Sequence, residues 1–239
     1  MKEQFLRAAE LLREHIGCPD DYPFCLPAFS TLHSLEFHPQ VTFIVGENGT
    51  GKSTLLEAVA AAWGFNPEGG TRNFNFSTRD SHSNLYEYIR LIRGVRKPRD
   101  GFFLRAESFY NVATQIDQIA VTPFYGGKSL HEQSHGEAFF ATFMHKFRGN
   151  GLYILDEPEA ALSPMRQMAM LSRINDLVKQ QSQFIIATHS PILMSYPHAS
   201  ILEISEKGIA VTEYEKTEHY IIMKEFINNY PRMLKVLMA

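Results

Sequence analysis

Short apolar runs bounded by turn residues recur along the chain. Five of these runs stand out, at 41–45, 102–106, 152–155, 184–187 and 201–204. Helical patterns lie between several of them, at 52–63, 83–93, 136–147 and 164–180. Strands that are apolar on both faces and alternate with helices are typical of a parallel sheet covered on both sides. The pattern therefore predicts an α/β fold with a mostly parallel central sheet flanked by helices.

Both ends of the chain are predicted to be helical. Residues 1–17, MKEQFLRAAELLREHIG, mix Glu and Arg through an apolar spacing, which indicates an amphipathic helix and not a signal peptide. Residues 216–238 predict one further helix, broken at Pro231.

Residues 65–101 interrupt the alternation of strands and helices. The stretch GFNPEGGTRNFNFSTRDSHSN is rich in Gly, Asn, Ser and Thr, and a basic segment with a helical pattern follows it. We predict a single domain, 1–239, in which 65–101 and roughly 107–147 form an inserted helical lobe or lid and not a separate domain.

A glycine-rich loop follows the first core strand. The run VTFIVGENGTGKSTLLEAVAAA has the order strand, Gly-x-x-x-x-Gly-Lys-Ser, helix. The glycines let backbone amides face phosphate oxygens, and the new helix adds its positive end. Lys52 supplies a point charge for the β- and γ-phosphates, and Ser53 supplies a hydroxyl ligand for Mg²⁺. The predicted nucleotide-binding residues are Gly46, Glu47, Asn48, Gly49, Thr50, Gly51, Lys52, Ser53 and Thr54.

Polar side chains follow two other predicted strands at the same end of the sheet. Asp156 closes the strand in GLYILDEPEAAL and is placed to hold the Mg²⁺ shell. Glu157 comes next and is placed to orient and deprotonate an attacking water. His189 ends the strand in QFIIATHSP, where its ring can bond a γ-phosphate and report its presence. Adjacent acids are often only a solvated turn, but the phosphate loop favours the functional interpretation.

Residues 134–137, Ser-His-Gly-Glu, precede a run of spaced apolar residues. This is the sequence pattern of a capping box, in which Ser134 accepts an amide of the first helical turn and Glu137 reaches back to the Ser134 amide. The pattern predicts that a helix begins there.

Composition limits the class of protein. The chain has 239 residues, 44% of them apolar, and a net charge of −3, which gives no global reason to expect nucleic acid. Its two cysteines cannot supply a disulfide framework or a four-ligand metal site. No window approaches eighteen consecutive apolar residues, so we expect no membrane span and a cytoplasmic protein.

Taken together, GENGTGKST, QSHGE, ILDEPEAALS and ATHSP resemble the ABC-type ATPase superfamily, in the branch with SMC-like and RecF-like DNA-maintenance ATPases. The chain is most similar to the small stand-alone bacterial ATPases of the AAA family. That closer resemblance also rests on EFHPQVTFIVGENG, GFNPEGGTRNFNFSTR and RDGFFLRAESFYNVATQID, and it covers roughly residues 25–220.

The resemblance implies a Mg²⁺-dependent ATPase that forms a homodimer on binding ATP. ATP on the phosphate loop of one subunit is capped by the signature helix of the other, so Ser134 and Gly136 are expected to contact the partner's γ-phosphate. Lys52, Glu157, His189 and Ser134 in trans are then the catalytic set. The expected output is a conformational switch, in DNA maintenance or phage defence.

Three departures from the family pattern concern this site. His135 replaces the first glycine of the signature, and Ser163 replaces the aspartate usual after the acid pair. No loop clearly offers the Gln that normally contacts Mg²⁺. Glu107 is the first candidate for that position and Gln115 the second.

The segment RLIRGVRKPR is strongly basic. It could bind nucleic-acid phosphates, with Phe74, Phe76, Tyr86 and Tyr88 as stacking faces nearby. Alternatively, it could be a solvated lobe surface or a contact to an acidic partner. The cations concerned are Arg90, Arg93, Arg96, Lys97 and Arg99.

Two other functions remain open. One is the nucleotide-binding subunit of an ABC transporter, which the Ser-His-Gly-Glu signature and the lack of a clear Gln disfavour. The other is a slow, nucleotide-gated module that docks an effector.

Overall fold

In a computed structural model of the protein, the described residues are 4–71, 84–118 and 132–238. They form nine strands: β1 Leu6–Leu11, β2 Ser34–Glu36, β3 Val41–Gly46, β4 Ile89–Arg93, β5 Asp100–Arg105, β6 Gly151–Asp156, β7 Gln183–Ala187, β8 Ser200–Ser205 and β9 Gly208–Thr212. All five strands predicted from apolar runs are confirmed as β3, β5, β6, β7 and β8.

The same residues form seven α-helices: α1 Pro27–Ser30, α2 Lys52–Trp63, α3 Phe109–Gln118, α4 His135–Lys146, α5 Pro164–Lys179, α6 Pro191–Met194 and α7 Glu218–Leu237. Short 3-10 helices lie at Arg13–His15, Asn84–Tyr88, Pro158–Ala161 and Tyr214–Lys216. The helices predicted at 52–63, 136–147 and 164–180 are confirmed as α2, α4 and α5.

The central sheet has six strands in the order β5-β6-β7-β3-β8-β9. All of its pairings are parallel except that between β8 and β9, which is antiparallel. Since β3, β6 and β7 are parallel neighbours, their carboxyl ends meet at one edge of the sheet, where open α/β sheets bind ligands.

The three innermost strands that carry the site, β3, β6 and β7, are buried on both faces. Alternate residues of β6 belong to two hydrophobic clusters, with Tyr153 and Leu155 facing α4 and α5 and Leu152 and Ile154 facing α2. This two-sided burial explains why the core strands are almost continuously apolar in sequence. The predicted fold class is therefore confirmed.

The predicted N-terminal helix at 1–17 is wrong, because Leu6–Leu11 is β1. The helical pattern at 83–93 is also wrong, because Asn84–Tyr88 is a 3-10 helix and Ile89–Arg93 is β4. Both strands join a second, antiparallel sheet with the order β2-β1-β4. Backbone pairing with a distant segment here outweighs the local helical preference.

The predicted lobe is only partly described, because 72–83 and 119–131 lie outside the described residues. Within the described part, α3 and α4 contribute Val112, Ile116, Phe139 and Phe143 to the main core cluster, where they are fully buried. These two helices thus cover the central sheet. The lobe as a distinct unit remains a prediction.

The C-terminal helix, α7, is confirmed together with its break. Asn229 has a non-helical backbone (φ −131°, ψ 25°) two residues before Pro231, whose ring and missing N–H disfavour a continuous helix. No residue of α7 is buried, although the helix carries large apolar side chains such as Phe226 and Ile227. Within the described ranges, no helix is both long and apolar enough to span a membrane.

Gln183 joins the small sheet to the central sheet. Its side-chain oxygen accepts the Phe5 and Leu6 amides at 3.0 and 2.9 Å, and its side-chain nitrogen donates to the Leu6 and His38 carbonyls at 2.7 and 3.0 Å. The side chain is buried, so water cannot replace these hydrogen bonds if the side chain is removed.

We therefore expect Gln183→Leu to lower the free energy of unfolding by about 3 kcal/mol, because it leaves buried backbone donors and acceptors unpaired. Urea denaturation followed by circular dichroism measures this change. Gln40→Leu, at a half-buried position in the loop before β3, is the matched control and should change stability little. Equal effects of the two substitutions would contradict the proposed role of Gln183.

Candidate nucleotide-binding site

Three loops meet at the carboxyl edge of the central sheet. The phosphate loop, defined as residues 46–54, follows β3 and leads into α2. Asp156 ends β6 and Glu157 follows it, while His189 lies two residues after β7. Since β7 lies between β3 and β6, all the predicted catalytic loops except that of Ser134 converge on one place.

The phosphate loop uses glycine where the backbone turns inside a crowded space. Gly46 has a φ of 146°, and a Cβ there would stand 2.5 Å from the Ile204 carbonyl oxygen. Gly51 caps α2 with a φ of 99°, and a Cβ there would stand 3.0 Å from the Ala28 Cβ. Any larger residue at these two positions would displace the loop.

Lys52 is buried at the first position of α2. Its Nζ donates to the Gly46 and Glu47 carbonyl oxygens at 2.9 and 2.7 Å. Burial lowers the pKa of Lys52, while the nearby carboxylates of Glu157 and Asp156 oppose this shift. The loop thus holds the ammonium group in place before any ligand is bound.

Ser53 connects the phosphate loop to the acid pair. Its Oγ donates to Asp156 Oδ1 at 3.0 Å, across 103 residues of sequence. A hydroxyl and a carboxylate are oxygen donors that suit Mg²⁺. The described residues contain no group of three or more His, Cys, Asp and Glu side chains that could hold a metal ion by themselves. The donor set fits a metal ion that takes its remaining ligands from phosphate and water.

Arg105, at the end of β5, forms an ion-pair network beneath this site. Its Nε lies 3.3 Å from Asp156 Oδ2, and its Nη1 donates to Glu57 Oε2 at 2.6 Å. Burial raises the pKa of Asp156 to about 6, against the opposing effects of the Arg105 charge and the Ser53 hydrogen bond. Sequence reasoning missed Arg105 and Glu57, although a lone arginine closing an apolar strand was a usable signal.

Glu107, the candidate for the missing Gln, is not brought to Ser53. Its side chain is 84% exposed and lies 3.5 Å from Arg105 Nη2. The second candidate, Gln115, has a side chain outside the described residues. A metal-ligand role for Glu107 therefore remains a prediction without a supporting contact.

Glu157 is held in an unusual backbone conformation. Its φ and ψ are 49° and 52°, in the left-handed region that non-glycine residues rarely adopt. Its N–H donates to the Ala187 carbonyl at 3.0 Å, which fixes the turn against the end of β7. The side chain is 40% exposed and its Oε1 lies 3.5 Å from His189 Nε2. Glu157 and His189 therefore face the same space above the phosphate loop.

Two residues that sequence reasoning missed surround His189. Its backbone N–H donates to Glu159 Oε1 at 2.5 Å, and its Nδ1 lies 2.8 Å from His219 Nε2 on α7. Burial, followed by the charge of Lys52, lowers the pKa of both histidines, and burial raises that of Glu159. No spacing in the sequence links His219 to this site, because α7 returns to it only in the folded chain.

Ser134 and Glu137 form the predicted capping box at the start of α4, which is confirmed. The Ser134 N–H donates to Glu137 Oε2 at 3.1 Å, and the Glu137 N–H donates to Ser134 Oγ at 3.4 Å. The Ser134 hydroxyl also donates to Glu137 Oε2 at 2.7 Å, and these bonds lower the pKa of Glu137. Within the described part of the chain, the hydrogen bonds of the Ser134 side chain are to Glu137 and none is to the phosphate loop.

Gly136 and His135 of the signature, and Ser163 after the acid pair, all have contacts within the same chain. A Cβ on Gly136 would stand 2.4 Å from the Ala161 carbonyl oxygen, so glycine lets α4 approach the turn after Glu157. The exposed His135 packs its ring edge-on against Phe109, with centroids 5.7 Å apart. Ser163 caps α5 by accepting the Arg166 amide at 3.5 Å. These contacts explain all three residues without a ligand.

Most of the basic segment is paired within the molecule. Arg90 Nε donates to Glu10 at 2.8 Å, Arg93 lies 4.6 Å from the Trp63 ring centre, and Arg96 Nη2 donates to Gln181 at 2.7 Å. Lys97 and Arg99 are exposed. Phe74 and Phe76 lie outside the described residues, so the predicted nucleic-acid surface gains no support here.

Comparison with known families agrees with this site. A family model described as "AAA domain" matches residues 28–137. A second, described as "AAA domain, putative AbiEii toxin, Type IV TA system", matches residues 129–195. Between them the two matches contain the phosphate loop, the Ser134–Glu137 box, the acid pair and His189.

Two curated relatives are similar over most of their length. A protein of Caldanaerobacter subterraneus subsp. tengcongensis, named "Putative ABC transporter ATP-binding protein", is 25% identical over 81% of this chain and 84% of its own. The thiamine import ATP-binding protein ThiQ of Vibrio cholerae is 26% identical over 62% of this chain and 68% of its own.

One solved structure shares the fold of this chain, and a second is a weaker match. The cbiO1 protein of Clostridium perfringens, part of the ABC transporter complex cbiONQ, matches with a TM-score of 0.50 at 18% identity, over 99% of this chain and 100% of that one. The SMC head domain of Thermotoga maritima matches with a TM-score of 0.47 at 16% identity, over 87% of this chain and 98% of that one. The family matches and the site geometry together support nucleotide binding at the phosphate loop.

The raised pKa of Asp156 predicts a pH-dependent stability. Between an ordinary value of 3.8 and about 6, the folded chain binds more protons than the unfolded chain, so this carboxyl lowers the free energy of unfolding as pH rises through that window. Asp156→Asn removes the dependence. We expect the stability of the variant relative to wild type to rise by about 2 kcal/mol from pH 4 to pH 7.

Urea denaturation in the absence of nucleotide and Mg²⁺ at the two pH values measures this difference. The control is Asp176→Asn, at an exposed position on α5, for which the difference should stay flat. If the stability difference between Asp156→Asn and wild type were also independent of pH, burial would not raise the pKa of Asp156, and the prediction would be wrong.

Proposed function

We propose that the chain is an ABC-type, Mg²⁺-dependent ATPase whose dimer traps ATP between its subunits and acts as a conformational switch. The AAA-domain matches at residues 28–137 and 129–195 support the assignment as a nucleotide-binding ATPase. The observation that carries the proposal is the hydrogen bond of 3.0 Å between Ser53 and Asp156. It joins the phosphate loop to an acid pair whose second member, Glu157, faces His189.

The Lys52 ammonium group is the proposed partner of the nucleotide phosphates. Lys52 Nζ already has two backbone carbonyl partners, and its ammonium group lies among the carboxylates of Glu157 and Asp156. A triphosphate entering the loop meets this charge together with the amide groups at the start of α2. Its negative charge then helps to balance a lysine whose burial would otherwise disfavour the charged form.

Ser53 and Asp156 would hold the Mg²⁺ ion. When bound, the ion neutralises the charge that develops on the phosphates during transfer. Arg105 keeps Asp156 oriented at 3.3 Å while Ser53 bonds its other oxygen. The two oxygen ligands are therefore fixed in direction before the nucleotide binds.

Glu157 is the proposed general base. Its strained backbone and the bond to Ala187 direct the carboxylate above the phosphate loop, where it can orient a water molecule and take its proton. His189 then donates from Nε2 to a γ-phosphate oxygen. The Glu157 side chain is 40% exposed, so water can reach it. His189 Nε2 is buried beside Glu157 without a hydrogen-bond partner among the described residues, which leaves its N–H available to a bound γ-phosphate.

The proposed dimer supplies Ser134 from the partner subunit. Ser134 and its helix start are exposed, and the described hydrogen bonds of the Ser134 side chain are to Glu137 of the same helix. The start of α5 adjoins them through the ion pair between Arg166 and Glu137 at 3.6 Å, and next to it Met165 is 72% exposed. An anion-binding helix start beside an exposed apolar side chain is suited to a partner surface.

The output of the switch is proposed to lie in DNA maintenance or phage defence. The matched family description that names a toxin of a toxin–antitoxin system supports a defence role. The two curated relatives instead favour the second candidate, the ATP-binding subunit of a transporter. Turnover measured with and without DNA, and co-purification with a membrane protein in detergent, separate these functions.

Glu157→Gln tests the catalytic assignment. The variant should bind ATP as wild type does but hydrolyse it at least about 100-fold more slowly, because the amide cannot accept the proton of water. Trapped ATP should make dimers accumulate on gel filtration. Glu213→Gln, in an exposed pair with Lys216, is the matched control and should turn over normally. Full turnover in Glu157→Gln would overturn the assignment.

Mixing two inactive variants tests the shared site. Lys52→Ala should abolish nucleotide binding, and Ser134→Ala should bind ATP but not hydrolyse it. A mixed dimer retains one site with an intact Lys52 from one subunit and an intact Ser134 from the other. An equal mixture should therefore recover about a quarter of wild-type turnover, since roughly half of the dimers are mixed and each has one active site. No recovery, with dimers still forming, would show that Ser134 does not act in trans.

A further inference from the structure

His189 and His219 share one hydrogen bond, and its direction determines which nitrogen of His189 carries the proton. Their facing nitrogens, His189 Nδ1 and His219 Nε2, are 2.8 Å apart. Burial and the charge of Lys52 lower the pKa of both rings, which favours the neutral form of each. A neutral imidazole carries one proton, so only one of the two rings can donate in this contact.

If His189 donated, two buried atoms would be badly placed. Its Nε2 would carry a lone pair facing Glu157 Oε1 at 3.5 Å, which is repulsive. The proton of His219 would then lie on its Nδ1, a buried atom with no hydrogen-bond partner among the described residues. A buried N–H without an acceptor is rare because it costs the full desolvation of the donor.

If His219 donates, the repulsion at His189 Nε2 and the unpaired N–H of His219 are both removed. The His189 proton then lies on Nε2, a buried atom without a closer hydrogen-bond partner among the described residues, and the Glu157 carboxylate at 3.5 Å attracts it. The His219 Nδ1 then carries only a lone pair, which is less costly to bury than an N–H. Charge and burial thus favour the same direction.

We infer that His219 is a positioning residue for His189: its Nε2–H donates to His189 Nδ1 and keeps the His189 proton on Nε2, the atom that faces Glu157. The inference rests on the proposed function for its consequence, since a γ-phosphate oxygen needs a donor at that nitrogen. A nitrogen without its proton would repel the same oxygen.

The start of α7 is anchored so that His219 stays in place. Thr217 is buried and caps the helix by accepting the Tyr220 amide at 3.4 Å. The Tyr214 hydroxyl donates to the Pro191 carbonyl at 2.9 Å, two residues after His189. The two histidines are therefore held from adjoining segments, which preserves the short contact between their rings.

The tautomer can be measured directly without nucleotide. Long-range proton–nitrogen NMR of protein labelled with ¹⁵N-histidine distinguishes a protonated Nε2 from a protonated Nδ1, and a His189→Gln variant identifies the His189 signals. At about pH 8, above the ordinary histidine range, we expect His189 with its proton on Nε2. A proton on Nδ1 would overturn the inference, whatever the protein's activity.

Enzyme kinetics test the consequence. His219→Leu removes the donor and should lower ATP turnover and affinity for a non-hydrolysable ATP analogue by about tenfold each, as losses of orienting partners do. Affinity for ADP should stay unchanged, because ADP has no γ-phosphate. His219→Gln keeps an N–H near the position of Nε2 and should recover most of the loss.

His15→Leu, at an exposed position in the first 3-10 helix, is the matched control and should change neither affinity. Equal weakening of ADP and the ATP analogue by His219→Leu, or no recovery with His219→Gln, would mean that His219 only supports the fold and would overturn the inference. If wild type binds the ATP analogue but does not hydrolyse ATP, the proposed ATPase function fails, while the NMR result and the affinity difference still decide the role of His219.

Discussion

The site depends on the hydrogen bond between Ser53 and Asp156, which spans the width of one strand. Ser53 starts the helix after β3 and Asp156 ends β6, and β7 runs between those two strands. The contact forms only if three parallel strands end at the same level, and their registers place them so. The same alignment brings His189 from the end of β7 to Glu157. One register constraint therefore positions the Lys52 ammonium group, the proposed metal-binding oxygens of Ser53 and Asp156, and the proposed base together.

That alignment places charges in a buried space, and the molecule balances them before a ligand arrives. The Lys52 ammonium group donates hydrogen bonds to backbone carbonyls and lies near two acidic side chains. The Asp156 carboxylate is paired with Arg105, which forms a second ion pair with Glu57. A buried charge without such partners would cost several kcal/mol. A triphosphate with its cation therefore enters a site whose polar groups already point the right way, so little rearrangement opposes binding.

The core strands were predictable from the sequence because they depend on a local pattern, apolar runs buried on both faces. Motifs at strand ends also predicted that Lys52, Glu157 and His189 lie at one edge of the sheet, where the structure places them, while their catalytic roles remain a prediction. Sequence reasoning failed at residues 1–17, where an apolar spacing compatible with a helix is decided by pairing with β2 and β4. It also missed Arg105, Glu159 and His219, since each reaches the site only through tertiary contacts. For Gly136 it predicted a contact to a phosphate, whereas the crowding against Ala161 already requires glycine.

The capping box and the proposed trans contact of Ser134 are compatible on energetic grounds. The Ser134 hydroxyl donates to the charged Glu137 carboxylate at 2.7 Å, so turning to a phosphate oxygen exchanges one charge-assisted hydrogen bond for another. Glu137 keeps the Ser134 N–H and the Arg166 ion pair after the exchange, so its carboxylate is not left alone. Because the amide half of the box survives, the start of α4 stays intact while the hydroxyl changes partner. The free-energy change within the chain is therefore close to zero, and the negative charge of the nucleotide beside the helix start favours the hydrogen bond to phosphate.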